Sequence, residues 1–276
     1  MKISVIIPTY KPKDYLWDCL NSISGQTLKP SEFEVIIILN GCNEPYNSQI
    51  KSFIDEKFQG LNVLYKQTDT PGVSNARNIA LDIATGEYVT FIDDDDYISP
   101  SYLEELLKVA APDTVSLCYP YAFDDGKPDV QLKYYITDAY EYCILHGCKS
   151  LSSKVRKFFS GPWMKLIPMS FIHGRRYDVR FANGEDSLFM FLISDRIKRI
   201  SLAARTAIYY RRFRTGSALN NTNSKYQKIK NNLCCMKEYV HIYMNGSYSF
   251  YFFWSRILAE FISSIRIILS TNGVHL

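Results

Sequence analysis

Residues 93–96 are four consecutive aspartates, and Tyr88-Val89-Thr90-Phe91-Ile92 runs directly before them. A short apolar run of this kind predicts a buried strand. Four carboxylates at its end repel one another unless a counter-charge is supplied. A divalent cation is the natural one. Hard carboxylate oxygens suit Mg2+ or Mn2+, which usually share their ligand shell with substrate phosphates. The run therefore points to metal-assisted chemistry on a diphosphate. A solvated acidic turn is the competing reading, since runs of like charge are commonly that. A second acidic pair, Glu185-Asp186, stands between Gly184 and the apolar stretch Leu188–Ile193. Arg212 and Arg214 follow a predicted strand at Ala207–Tyr210, and arginine forks suit phosphate oxygens.

These groups need a scaffold that gathers them. Ile3–Ile7, Phe33–Leu39, Asn62–Lys66 and Tyr88–Ile92 read as strands. Tyr15–Ser24, Gln49–Phe58 and Ser74–Ala84 read as helices, with Gly86 closing the last. Such alternation predicts a mostly parallel sheet covered on both faces. Ligands of these sheets bind outside the carboxyl ends of the strands. Pro8-Thr9-Tyr10, Asn40-Gly41 and Asp93–Asp96 all fall at those ends. A dinucleotide fold would need Gly-x-Gly-x-x-Gly after the first strand, but Pro8-Thr9-Tyr10-Lys11 stands there. A P-loop is likewise absent.

At 276 residues and 47% hydrophobic, the chain can bury a sizeable core, so disorder is not expected. Seven scattered cysteines form no Cys-x-x-Cys. With no signal-peptide pattern, the chain reads as reduced and cytoplasmic. The net charge of +4 hides a strong asymmetry: residues 1–148 hold 11 Lys/Arg against 22 Asp/Glu, and residues 149–230 hold 18 against four. An acidic half beside a basic one suggests a metal bed and an anion-recognising surface. No nucleic-acid-binding motif stands in the basic stretch, so nucleic acid is not expected as a partner.

Seven ordered segments carry a family resemblance: Ser4–Tyr10, Pro71–Asn78, Gly86–Val89, Phe91–Tyr97, Gly161–Leu166, Gly184–Asp186 and Tyr210–Ser217. In these the chain resembles glycosyltransferase family 2 of the bacterial surface-polysaccharide type, inverting enzymes of the GT-A fold. The resemblance implies an α/β catalytic domain over 1–220, with its nucleotide- and metal-binding half at 1–100 and its acceptor half at 101–220. A C-terminal helical extension would follow at 221–276. It implies transfer of a sugar from a nucleotide diphosphate, a uridine-diphosphate sugar first among donors. The acceptor would be a hydroxyl of a glycan or lipid-linked oligosaccharide.

Site roles carry over residue by residue. Pro8, Thr9 and Tyr10 match the loop against the nucleobase. Asn40 stands where the family often has an aspartate accepting from the base N–H; its amide can accept or donate, and beside Gly41 it is equally a turn residue. Arg77 matches a partner of the base or phosphates. Asp93 and Asp95 match Asp-x-Asp, the first near the ribose and the second on Mn2+ or Mg2+. Asp94 and Asp96 are extra, one supporting the ligand shell and one facing solvent. Asp186 matches the general base, with Glu185 beside it toward the acceptor; an N-cap of the following helix is the bland alternative. Trp163 and Lys165 fall on the acceptor side, where Trp163 offers a flat face to a sugar ring or packs the core. Arg212, Arg214 and Ser217 match the loop over the donor diphosphate, or form a solvated basic turn. Two other activities compete: a nucleotide-sugar-binding module without turnover, and a nucleotidyltransferase, for which Lys11-Pro12-Lys13 is a poor glycine-free loop.

Beyond the resemblance, Tyr248–Trp254 and Ile257–Leu269 are rich in aromatic and branched residues, with Arg256, Glu260 and Arg266 interspersed. No stretch of about twenty uninterrupted apolar residues occurs, so a spanning helix is not expected. The tail fits an amphipathic helix lying on the inner face of the cell membrane, or packing on a second copy of the chain. A cap on the catalytic domain's own core is the alternative, favoured for 225–245.

Overall fold

Ile3–Thr9 and Phe33–Asn40 are buried along their whole length, as strands covered on both faces must be. The computed structural model describes residues 1–152, 154–214 and 224–269. In chain order the elements are β1 (Ile3–Thr9), α1 (Tyr15–Ser24), β2 (Phe33–Asn40), α2 (Tyr46–Lys57), β3 (Asn62–Thr68), α3 (Val73–Ile83), β4 (Tyr88–Phe91), β5 (Tyr97–Ile98), α4 (Tyr102–Lys108), β6 (Thr114–Leu117) and β7 (Tyr119–Asp124). They continue as α5 (Tyr135–His146), β8 (Lys165–Pro168), α6 (Met169–Ile172), α7 (Glu185–Leu192), β9 (Arg199–Leu202), β10 (Ile208–Phe213), α8 (Lys225–Met244) and α9 (Phe250–Leu269).

A seven-stranded sheet runs β3-β2-β1-β4-β8-β6-β9. The first four strands are mutually parallel, and β8 alone is antiparallel to its neighbours β4 and β6. This is the mostly parallel, helix-flanked sheet expected from the alternating pattern. A second sheet, β5-β10-β7, starts right after the acidic run. Its central strand β10 pairs antiparallel with β5 and parallel with β7.

Two local expectations are corrected. The third helix ends at Ile83, so Gly86 does not close it. Gly86 instead lies where the turn into β4 crosses β1: a Cβ there would stand 2.5 Å from the backbone nitrogen of Ser4. The turn is held from below by buried Glu34, which accepts from Ser4 Oγ, the Thr85 backbone N–H and Thr85 Oγ1. The charge asymmetry is also partly neutralised within the chain. Six arginines of the basic stretch reach back to acids of the first half: Arg176 to Asp82, Arg199 to Asp113, Arg205 to Glu141, Arg211 to Asp93, Arg212 to Asp18 and Arg214 to Asp95. A third of the basic residues of 149–230 thus join the two halves of the chain.

The C-terminal helices form an antiparallel hairpin packed on the domain. Asn232 of α8 donates to Ser263 and Ser264 of α9. Tyr239 shares a hydrogen bond with Ser187 of α7, and Arg256 donates to the Phe159 carbonyl. Phe252 is 2% exposed and meets Phe159 and Phe191. The inner side of α9 is thus core, the alternative favoured from sequence only for 225–245. Phe252→Ala should lower unfolding free energy by about 3 kcal/mol. Denaturant melts measure this, and a loss under about 1 kcal/mol would mean α9 rests loosely on the domain.

Candidate active site

The parallel strands deliver their carboxyl ends to one edge, as expected. Thr9 ends β1, Asn40 ends β2, and the acidic run leaves β4. The Thr9 hydroxyl donates to Asp94 at 2.5 Å, tying the first strand's loop to the run. Asn40 is buried and its amide is engaged at both its nitrogen and its oxygen. Its Nδ2 donates to the Thr9 carbonyl at 2.7 Å, and its Oδ1 accepts from the Gly72 N–H at 2.9 Å. In this arrangement Asn40 joins two loops rather than offering its amide to a base. Tyr10, by contrast, is half-exposed beside that junction.

Arg77 stands at the centre. Carried on α3 and 2% exposed, it donates through Nη1 to Asp186 at 2.5 Å and through Nη2 to Asp93 at 3.0 Å. Its guanidinium lies over the Tyr177 ring, which stacks on Phe189 of α7. Asn78, one residue on, donates to the Tyr177 carbonyl and accepts its N–H, clipping α3 to this segment. Coulombic attraction to Asp186, Tyr177 and Asp93 outweighs the burial cost, so the guanidinium is held charged. The arginine role expected at the nucleotide is here a link between two carboxylates.

Asp186 is in the first turn of α7 and is not its cap. Gly184 holds that place with φ 86°, a left-handed conformation that favours glycine. Burial raises the Asp186 pKa, while Arg77 pulls it down. Glu185 is pushed up to about 7, first by burial and then by Asp186. Among the described residues only one Asp186 oxygen is taken, leaving the other for a proton.

The acidic run divides in two. Carboxylate oxygens of Asp93, Asp95 and Asp96 lie within 4.8 Å of one another. Asp94 turns away to Thr9, and burial pushes its pKa up to about 7. Asp96, 1% exposed, accepts the Arg212 backbone N–H through Oδ1, and its buried Oδ2 has no hydrogen-bond partner among the described residues. An orphaned buried carboxylate oxygen beside two further carboxylates is the donor set a hard divalent cation requires. Asp93, Asp95 and Asp96 therefore fit such an ion, a wider set than Asp95 alone. Asp96 does not face solvent.

Strand parity sorts the arginines of β10. Side chains alternate faces along a strand. Tyr209 and Arg211 share the face toward the run: Tyr209 accepts from the Asp93 N–H, and Arg211 stands 3.9 Å from Asp93. Tyr210 and Arg212 take the other face, where Tyr210 stacks on Tyr97 and Arg212 engages Asp18 and Asp125. Arg212 is thus occupied, although its Nε still donates to the Asp95 carbonyl. Arg214, past the strand, donates to Asp95 at 2.6 Å and lies over Tyr15. Ser217 lies outside the described residues. Arg211, part of the matched segment but given no role from sequence, shares its strand face with Tyr209 by alternation.

Trp163 is 7% exposed, with one face under the Arg211 guanidinium at 4.6 Å. Gly161 makes room for it, since a Cβ there would meet the indole at 2.5 Å. Of the two sequence readings of Trp163, the packing one is what the structure shows, with the ring set against Arg211. Lys165 is corrected. It is fully buried, and its Nζ donates at 2.6 Å to the Gly161 and Trp163 carbonyls, so it braces this loop and offers no ammonium to an acceptor. The brace spans Met164, whose φ of 65° is unusual for a residue with a side chain.

Burial lowers the Lys165 pKa from 10.5 to about 7, against the opposing pull of Cys118 and Asp186. Between those values the unfolded chain binds a proton that the folded chain lacks, so stability should rise with pH across that window. Lys165→Met should flatten that rise, seen by comparing melting temperatures of parent and variant from neutral to alkaline pH. Equal slopes would show that the ammonium stays charged inside.

Residues 4–165 match the family model described as Glycosyl transferase family 2. The chain is 27% identical over 226 residues to Glycosyltransferase GlyA of Streptococcus pneumoniae, covering 78% of this chain and 31% of that protein. It thus spans about a third of that relative's length. Over 221 residues it is 27% identical to the GalNAc(5)-diNAcBac-PP-undecaprenol beta-1,3-glucosyltransferase of Campylobacter jejuni, covering 78% of this chain and 66% of that one. Among solved structures, Staphylococcus aureus TarS 1–349 in complex with UDP-GlcNAc superposes with a TM-score of 0.73 at 24% identity, over 99% of this chain and 75% of that one. That likeness establishes the GT-A fold. With the family model covering more than half of its length, the chain belongs to glycosyltransferase family 2.

Proposed function

We propose that the protein is an inverting glycosyltransferase that moves a sugar from a nucleotide diphosphate, a uridine-diphosphate sugar in the first instance, to an acceptor hydroxyl in surface-polysaccharide synthesis. The observation that carries this reading is the Arg77 bridge. It puts a lone carboxylate with one uncommitted oxygen, Asp186, in the same site as the three clustered carboxylates Asp93, Asp95 and Asp96. An inverting transfer needs those two parts and little else.

Asp186 takes the proton from the acceptor hydroxyl as its oxygen attacks the anomeric carbon. The new carbon–oxygen bond forms while the bond to the donor phosphate breaks, and the electron pair leaves with the nucleoside diphosphate. Arg77 fixes the carboxylate's direction and opposes the burial that favours its protonated form. Asp93, Asp95 and Asp96 would hold Mn2+ or Mg2+. Such an ion, when bound, supplies positive charge to the departing diphosphate. Arg211 and Arg214 border the same run and add cationic charge there. Tyr10 is the exposed ring placed for the nucleobase, and Trp163 with Glu185 borders the acceptor side. The acceptor is a glycan or lipid-linked glycan, a class supported by the undecaprenol-linked substrate in the name of the Campylobacter relative. A lipid-linked acceptor would bring the protein to a membrane.

Asp186→Asn should abolish transfer, by at least about a thousandfold in kcat, while donor affinity by calorimetry stays within about threefold. Near-normal turnover would move the base to another group, with Glu185 next. Separately, EDTA or Asp95→Ala should weaken UDP-GlcNAc binding at least tenfold, and unchanged affinity in chelator would remove the cation from the scheme.

A further inference from the structure

The helical hairpin leaves one side bare, and its composition is specific. On α9 the residues Tyr251, Trp254, Leu258, Phe261, Ile265 and Ile268 recur at alternating spacings of three and four, so they line one face. Every one of them is at least 39% exposed. On α8 the same spacing picks out Tyr226, Lys230, Leu233, Lys237, Val240 and Met244, and all six are exposed. The two lines look the same way. Both helices turn their inner residues to the domain, through Asn231 to the Asn183 carbonyl and Arg256 to the Phe159 carbonyl, and to each other through Asn232 and Ser264. What remains is the common outer side.

The geometry points to this side as a docking surface for an anionic lipid membrane, with the α9 line seated among the acyl chains and the lysines of α8 at the headgroups. The proposal rests on the reading that the acceptor is lipid-linked, and it names the surface that reading left open. Three features select this occupant. Tyr251 and Trp254 are amphipathic rings suited to a lipid–water boundary. Lys230 and Lys237 alternate with apolar residues, so their stems can lie along the apolar surface while the ammonium groups reach lipid phosphates. The acids of the hairpin keep off this face: Glu238 pairs with Arg180, and Glu260 is half-buried. A second copy seated here would bury Lys230 and Lys237 with no carboxylate on the face to receive them, an expensive arrangement. Among the described residues no helix is long and apolar enough to cross a membrane, so the hairpin would lie on the surface.

The test is cosedimentation of the full chain with vesicles of phosphatidylcholine alone and of an equal mixture with phosphatidylglycerol. Binding should be at least about tenfold tighter to the mixed vesicles, and raised salt should remove most of that difference. The double variant Trp254→Asp/Phe261→Asp should lose binding to both. Lys230→Glu/Lys237→Glu should bind mixed vesicles no better than neutral ones. Both variants should keep the parent's melting temperature and its stabilisation by UDP-GlcNAc, because the altered side chains face outward, away from the cleft. Equal binding to both lipids, salt-insensitive binding, or parent-like binding by folded variants would overturn the proposal. So would a parent that ignores vesicles but sediments as a dimer, with the aspartate variant monomeric; the face would then belong to a second copy. If a variant unfolds, the lipid and salt dependence of the parent decides alone. A parent chain that binds neither vesicle yet is still stabilised by UDP-GlcNAc would sink this inference and leave the transferase reading standing.

Discussion

One buried guanidinium holds the site together. Arg77 is a cation that burial alone would expel, kept inside because two carboxylates from distant parts of the chain meet it. Neither acid is comfortable without it. Asp186 sits in a desolvated pocket where its charge is disfavoured, and Asp93 belongs to a run of like charges. Removing one partner of such a buried pair typically costs about 3–5 kcal/mol because the other charge is stranded. Asp186, proposed as the base, and the acids proposed to hold a cation are therefore not two neighbouring sites. They are two ends of one electrostatic unit, with the arginine as its middle.

The same logic extends outward. The acidic run faces Arg211 and Arg214 as well as Arg77, and the arginines farther out bind acids on the opposite half of the fold. Exposed pairs such as Arg199–Asp113 contribute little each. The partly enclosed pair Arg214–Asp95 matters more for function, since it ties an aromatic-backed cation to a carboxylate that also suits a metal. A cation entering that cluster must compete with the arginine or share the carboxylate with it.

Much of the scaffold was legible in the sequence, for physical reasons that can be named. β1 and β2 are buried on both faces and so spell near-continuous apolar runs, and the polar segments at their ends could be placed by topology alone. The sequence misleads where a side chain's role depends on what lies beneath it. Asn40 beside Gly41 looks like a turn or a base reader, but it is a buried clasp between two loops. Lys165 was read as an acceptor-side group, and the carbonyls that capture it are invisible to pattern reading. Arg212 looked like the phosphate ligand because arginine type was read without strand parity, which gives the cleft side to Arg211. The charge asymmetry was real in sequence but was read as two surfaces, because composition cannot show that opposite charges fold onto each other.

The distance along the chain between the acids and their arginines has a consequence during synthesis. Arg214 lies 119 residues beyond Asp95, and Asp186 lies 109 beyond Arg77. At roughly 5–20 residues per second, the first half is out for about 6–24 s before its last arginine exists. Through that interval Arg77 is the one arginine of the site already made, and the mutual repulsion of the four aspartates works against early closure of the sheet edge where they sit. The second half of the chain thus serves as a folding partner supplied in cis. The active site cannot settle until the second half of the chain has been made.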